Sequence, residues 1–200
     1  MKWIGAVAVF AGMVYPVALG AESITGGVEF SADVVRTTRD GRHEQGRIHV
    51  GRGGVRSEAL LNGQKVAMIY DISQKQVWML LLEQKFYTSR NGVDMRPPPL
   101  PDAEDSPCRQ RERFSCTQQG AEQLQGRHVL RWIVLVRGTE QVVPHELWID
   151  PRVRIAIREQ YGDGLVVELR NIREEAQSPA LFTVPADYRP MPVSTEGTKP

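Results

Sequence analysis

Apolar and polar residues alternate with a period of two along most of the chain. The alternation runs first through Val28, Phe30, Ala32 and Val34, and it returns in segment after segment downstream. A period of two places successive side chains on opposite faces of an extended strand, so the pattern predicts β-strands. The breaks contain residues that readily adopt turn conformations, namely Asp40-Gly41, Gly53-Gly54, Asn62-Gly63, Gly138 and Gly162-Asp163-Gly164. Connections this short join antiparallel neighbours, because parallel neighbours need a crossover of about a dozen residues.

The predicted strands form one long antiparallel meander. After the segments around Ile48 and Val55, strands are predicted over residues 64–70, 76–82, 85–90, 127–136, 141–149, 153–160 and 165–173. The one helix candidate is a short piece over residues 116–125, where Gln and Glu favour helix. A sheet without amphipathic helices must curl to cover its apolar face. The predicted fold class is therefore mainly β: a single, strongly curved antiparallel sheet or half-barrel with few short helices and a Pro-rich lid.

One strand departs from the alternation. Residues 77–82 are six consecutive apolar residues, which put apolar side chains on both faces of the strand. Two explanations stay open and are compatible. A lid from the chain itself covers one face, for which the Pro-rich residues 94–107 are available, or one face lines an apolar cavity or meets a partner.

The N-terminus has the features of a secretory signal peptide. Lys2 precedes an apolar stretch from Ile4 to Val14, and small residues end it near Gly20 or Ala21, where cleavage is expected. The stretch is too short for a membrane span, so no transmembrane anchor is expected in the mature chain. The predicted organisation is a signal peptide (1–21), an antiparallel β domain (22–190) with a Pro-rich, disulfide-bearing insertion (91–116), and a disordered tail (191–200). The predicted location is periplasmic or secreted.

Charge and reactive residues exclude several function classes. Removing the signal peptide leaves 24 Lys and Arg against 24 Asp and Glu, and the basic residues alternate with acids, so nucleic-acid binding is not expected. Cys108 and Cys116 are the only cysteines, and in an oxidising compartment they predict a disulfide. The four histidines show no metal-ligand spacing, and no serine lies in a nucleophile motif. No catalytic residue, metal site or cofactor is predicted.

Two stretches resemble a known family. The run from Tyr70 to Leu80 followed by Lys85-Phe86-Tyr87, and the closing run that ends in Leu181-Phe182-Thr183-Val184-Pro185-Ala186-Asp187-Tyr188, are similar to uncharacterised secreted bacterial proteins of the outer-membrane lipoprotein carrier (LolA-like) superfamily. The resemblance covers most of the mature chain. It implies a sheet bent into an incomplete barrel whose apolar concave face shelters acyl chains. In place of the long amphipathic helices of the carriers, this chain has the Pro-rich insertion.

These observations lead to a binding function without covalent chemistry. The hypothesis is a periplasmic protein that holds a lipid, an acyl chain or another apolar moiety, free or on a lipidated protein, against the concave sheet. The predicted lining is Phe30, Val34, Ile48, Val50, Met68, Tyr70, Trp78, Leu80 and Trp132. The alternative is an envelope protein-interaction, assembly or sensor module with no lipid ligand. An enzyme is not expected, because no set of nucleophile, base and metal ligand is visible.

Overall fold

Twelve strands form one sheet in the computed structural model, which describes residues 28–71, 74–91, 106–108, 114–136 and 145–192. Among these described residues there is a single 3-10 helix, Pro179–Phe182, which lies between the last two strands. The strands are β1 (Phe30–Thr37), β2 (His43–Gly51), β3 (Gly54–Leu61), β4 (Gln64–Asp71), β5 (Gln76–Leu81), β6 (Phe86–Asn91), β7 (Phe114–Leu124), β8 (Arg127–Val136), β9 (His145–Asp150), β10 (Ile155–Gln160), β11 (Val166–Glu174) and β12 (Arg189–Pro190).

The strand order is β12-β6-β5-β4-β3-β2-β1-β11-β10-β9-β8-β7. Neighbours in the sheet are antiparallel, except that β12 pairs with β6 in parallel over two residues. β1 lies in the middle and pairs with both β2 and β11, so two meanders extend outward from it. The predicted fold class, one large antiparallel sheet that curves without closing, is confirmed.

Residues that favour tight turns form the hairpins at the places where the alternation of apolar and polar residues breaks. Between β3 and β4, Asn62 and Gly63 have φ angles of 51° and 78°. Two consecutive residues with positive φ match the right-handed twist of the flanking strands, and Asn-Gly adopts that conformation at little cost. The pairing on either side is in register from Leu61↔Gln64 to Gly54↔Asp71.

Three bulges accompany the curvature of the sheet. The register shifts in β11 opposite Ser31 to Asp33, in β10 between Ala156 and Arg158, and in β7 between Gln118 and Gly120. An extra residue on one strand increases local twist and bends the sheet. Buried side chains from strands far apart in the sheet consequently form one core cluster, made up of Phe30, Ala32, Ile48, Val50, Val129, Trp148, Val153, Ile155, Ile157 and Leu169.

The predicted short helix over residues 116–125 is wrong. Residues 114–124 form β7, which pairs with β8 from Phe114↔Val136 to Leu124↔Arg127. The helix propensity of Gln and Glu is worth only tenths of a kcal/mol per residue, and the backbone ladder to β8 outweighs it. Among the described residues there is no α-helix, and none of their helices is long and apolar enough to cross a membrane.

The C-terminal segment covers one face of the six-residue apolar run. We call residues 179–190 the strap: its Leu181, Phe182, Val184 and Tyr188 pack with Ala67, Ile69, Trp78, Leu80, Leu82 and Tyr87. From the sequence, residues 94–107 were available as a lid over one face of this run, and most of them lie outside the described residues. Because strap and strand are about a hundred residues apart, no local pattern showed that they meet.

Several predictions concern residues outside the described part of the chain. They are the signal peptide (1–21), most of the Pro-rich insertion (92–105 and 109–113), the strand start over 141–144 and residues 193–200 of the tail.

Candidate ligand-binding face

Six of the nine predicted lining residues share one face of the sheet. Residues directly opposite each other on neighbouring antiparallel strands point to the same side. Phe30 is paired with Val50, Ala32 with Ile48, and Met68 with Ser57, which in turn faces Ile48. β1 to β6 are paired with one another without a register shift, so the alternation carries across all six strands. Phe30, Val34, Ile48, Val50, Met68 and Tyr70 therefore lie on a common surface, the Met68 face.

The Met68 face extends onto residues outside the predicted lining. Met79 is directly opposite Met68, and Val77 is opposite Tyr70. Leu81 and Phe86 are paired with each other one step further along. Whether Met79 or Trp78 joins this face depends on whether the turn between β4 and β5 has an even or an odd number of residues. That number would have identified these residues, but the sequence alone leaves it open.

Burial changes along this face. Phe30 and Ile48 are fully buried and Val50 is 5% exposed, so the part on β1 and β2 is filled by the protein's own side chains. Met68, Tyr70, Met79, Leu81 and Phe86 are only half-buried. The accessible apolar surface thus lies on β4 to β6, around the buried Val66 and Val77. Methionine is unbranched and polarisable, so a cross-strand pair of methionines adapts to ligands of differing shape.

Trp78 and Leu80 point to the opposite side. Trp78 is paired with Ile69 and Leu80 with Ala67, and all four pack with the strap. Leu80 is fully buried there. A ligand on the Met68 face cannot reach these two side chains through the sheet.

Trp132 belongs to a third group. It packs with Val134, Leu147, Ile149 and Ala156, and next to them lie Phe114, Leu130 and the two cysteines. Cys108 and Cys116 form a disulfide with an S–S distance of 2.01 Å. The disulfide joins residues 106–108 to β7 over this cluster, and Trp132 is 6% exposed beneath it.

A polar cluster at the ends of β9 and β10 was not predicted from the sequence. The Tyr161 hydroxyl donates to Glu159 Oε2 at 2.6 Å, and His145 Nε2 lies 3.2 Å from the same oxygen. The His145 and Tyr161 rings stack with centroids 4.2 Å apart. Burial, followed by the neighbouring Glu159 charge, raises the pKa of Tyr161 far above its ordinary value, so the phenol stays protonated and remains a donor. The Tyr161 hydroxyl thus donates to a buried carboxylate that the His145 ring adjoins, which accounts for the arrangement structurally.

Ion pairs between arginine and glutamate side chains lie on neighbouring strands elsewhere on the sheet. Arg131 and Arg158 lie over the Trp148 ring at 5.3 and 5.1 Å, and each arginine pairs with a glutamate. Acids that alternate with the arginines neutralise them locally, which is what the interleaved charges of the sequence indicated. No group of three or more His, Cys, Asp or Glu within the described ranges is placed to hold a metal ion.

Comparisons with known proteins show similarity in fold alone. No protein-family model matches the sequence, and no curated protein matches it. An uncharacterised conserved protein from Thermus thermophilus superposes with a TM-score of 0.55 at 15% identity, covering 86% of this chain and 94% of that one. A chain of the MucA/MucB complex of Pseudomonas aeruginosa has a TM-score of 0.55 at 16% identity. That match covers 90% of this chain but 64% of the other, so this chain spans somewhat less than two thirds of its length.

One further solved structure is similar at a lower TM-score. A putative outer membrane lipoprotein-sorting protein domain from Vibrio parahaemolyticus matches with a TM-score of 0.32 at 8% identity, covering 81% of this chain and 92% of that one. A score this low carries no argument about function. The choice of ligand therefore depends on the Met68 face itself.

Proposed function

We propose that this protein is a periplasmic binding protein without covalent chemistry, which holds an acyl chain or a similar apolar group on the Met68 face. The observation that carries the proposal is the half-buried apolar surface formed by Met68, Tyr70, Met79, Leu81 and Phe86. Removing such surface from water contributes about 25 cal/mol per Å², and a single acyl chain offers enough apolar area to use it.

The dimensions of the accessible surface favour one chain over several. Three neighbouring strands, β4 to β6, are about 10 Å wide between the outer two, and four to six residues of strand are about 13–20 Å long. The part on β1 and β2 is already filled by Phe30 and Ile48. A single extended acyl chain or a short apolar segment fits this area.

The test is a paired substitution on the Met68 face. The full chain is purified without detergent and analysed by native mass spectrometry and organic extraction for co-purified lipid. Replacing Met68 and Met79 with Gln should lower lipid occupancy and the affinity for added fatty acid by about tenfold or more, because two apolar contacts worth about 1 kcal/mol each are lost. Leu60→Gln is the matched control, since Leu60 is 58% exposed and points away from the Met68 face.

Two results would reject the lipid proposal. One is a lipid-free wild-type chain that also ignores added fatty acids and lipopeptides. The other is a Met68/Met79 variant that binds lipid as well as the wild-type chain does.

A protein-interaction module is the second candidate. Its support is the similarity in fold to a chain of the MucA/MucB complex, which is itself an assembly of two proteins. This candidate predicts specific crosslinking to an envelope protein. If the Met68/Met79 variant crosslinks as well as the wild-type chain does, the interaction is independent of the lipid proposal.

A further inference from the structure

The charged residues of β3 to β6 are divided unequally between the two faces of the sheet. Arg90 is paired with Val77, which is paired in turn with Tyr70, so Arg90 lies on the Met68 face. The other charged residues of these four strands alternate in step with Ala67 and Ile69 or are paired with them, which places them on the strap side. They are Arg56, Glu58, Lys65 and Asp71. On β3 to β6, the Met68 face therefore has a positive charge and no negative one.

A second arginine reaches the same face from β12. Arg189 is paired with Phe86, and its N–H donates to the Lys85 carbonyl at 2.9 Å. The preceding Tyr188 packs on the opposite side, in the strap cluster. Because successive side chains of a strand alternate, Arg189 lies on the Met68 face. The outer edge of the accessible apolar surface thus has Arg189 next to Phe86 and Arg90 four residues further along β6.

These two arginines differ from the cations on the strap side in having no acid beside them. Both are exposed, and neither has a carboxylate partner within the ranges that the structure describes. The cations on the strap side do have partners: Arg56 lies 2.7 Å from Glu58, Lys65 3.9 Å from Glu83, and Lys85 2.7 Å from Asp187. An apolar surface with unpaired positive charge at its edge favours apolar molecules that carry a negative group.

We propose that the ligand of the Met68 face is a fatty acid, whose ionised carboxylate pairs with an arginine at this edge while its chain lies along Met68 and Met79. The inference rests on the proposed function and adds the chemistry of the headgroup. A guanidinium matches a carboxylate with two parallel hydrogen bonds.

The spacing of the two arginines favours a headgroup with a single negative charge. Arg90 and Arg189 are about 13 Å apart along the strand direction, so one headgroup meets one arginine. A phosphate monoester carries a charge of about −1.5 to −2, which one guanidinium leaves partly unmatched. The acyl chains of a lipidated protein end in neutral ester and amide groups, which gain nothing from either arginine. A carboxylate fits best.

The test compares three amphiphiles that share one chain and differ in the charge of the headgroup: decanoate, decanol and decyltrimethylammonium. Isothermal titration calorimetry at neutral pH and low salt measures the affinity of the full chain for each. Wild type should bind decanoate about threefold to tenfold more tightly than decanol, as expected for an exposed arginine–carboxylate pair of good geometry. Replacing Arg90 and Arg189 with Gln should abolish this preference and leave the affinity for decanol unchanged. Replacing both with Glu should reverse it in favour of decyltrimethylammonium.

The matched control replaces Lys65 and Arg42 with Gln. It also removes two exposed positive charges, one on the strap side of β4 and one in the turn between β1 and β2, and it should keep the wild-type preference. Circular dichroism checks that each variant is folded, and if the arginine variants do not fold, the wild-type comparison of decanoate with decanol decides.

The outcomes separate this inference from the proposed function. Wild type that binds decanol as tightly as decanoate overturns the fatty acid but leaves a binding protein for apolar groups in place. A preference that survives in the Arg90/Arg189 variant, or one that the control also loses, overturns the role of these arginines. If wild type binds none of the three amphiphiles, the proposed function fails, and this inference fails with it.

Discussion

Adjacent residues of β5 have different surroundings because a strand alternates its faces. Trp78 lies under the strap, whereas Met79 lies on the Met68 face, directly opposite Met68. The lining predicted from the sequence included Trp78 and left Met79 out. Both are large apolar residues in one uninterrupted apolar run, so composition could not separate them. Their roles follow from which element covers each face.

Substitutions at these two positions should separate stability from binding. Trp78→Ala should lower the free energy of unfolding by about 2–4 kcal/mol, because it leaves a cavity between β5 and the strap. Met79→Ala should reduce stability less and lipid affinity more. Urea unfolding followed by circular dichroism, with a lipid-binding assay on each folded variant, measures both quantities. A Trp78→Ala chain of unchanged stability that no longer binds lipid would contradict this assignment.

Among the strands and turns, β7 illustrates how a partner strand outweighs local preference. Its Gln- and Glu-rich sequence favours helix slightly, yet it runs antiparallel to β8 over its whole length, with a bulge at Gly120, where φ is 132°. The strap gives the same lesson, since two residues of β12 pair with β6 and a single 3-10 turn places Phe182 over Gly51. In both cases the contacts that decide are distant in sequence.

The disulfide is the covalent tie of β7 to residues 106–108. Replacing Cys108 and Cys116 with Ser should lower the free energy of unfolding by about 2–3 kcal/mol, because closing a short loop restricts the unfolded chain. Chemical denaturation with and without reductant measures this. Reductant should destabilise the wild-type chain to the level of the variant and leave the variant unchanged. A variant as stable as the oxidised wild-type chain would show that the disulfide adds nothing to the cover over Trp132.

At the scale of the whole sheet, an ion-pair network links β8 to β11 across the concave side of the curved sheet. Arg127 at the start of β8 binds Asp150 and also donates to Glu174 Oε1 at 2.6 Å, although two strands separate β8 from β11. Arg152 donates to the other oxygen of Glu174 at 2.6 Å. Burial opposes ionisation of Glu174, but these two hydrogen bonds outweigh it and hold the pKa of the carboxyl below its ordinary value of 4.5.

Low pH should therefore lower the stability that the Glu174 carboxylate contributes to the folded sheet. A carboxylate whose pKa is lower in the folded state contributes stability above its unfolded-state pKa, and the contribution is lost as the pH falls through the folded value. Glu174→Gln should be less stable than wild type by about 1.5–3 kcal/mol near neutral pH, the usual contribution of hydrogen bonds to a charged group. Urea unfolding at neutral pH and at about pH 3 should show that difference shrinking. An equal difference at both pH values would place the effect of the substitution elsewhere.

Local sequence was enough to establish most of the strands, their turns and the fold class. Alternation with period two and turn residues such as Asn62-Gly63 act over a few neighbouring residues, so they can be interpreted without the three-dimensional structure. The faces became known only from the folded chain: Met79 joins Met68, Trp78 and Leu80 lie under the strap, and Trp132 packs by the disulfide. The face on which a side chain lies and the element that covers it depend on the number of residues in each turn, on bulges and on contacts between segments more than a hundred residues apart. None of these leaves a local pattern, because one residue more or less in a turn reverses every side chain that follows.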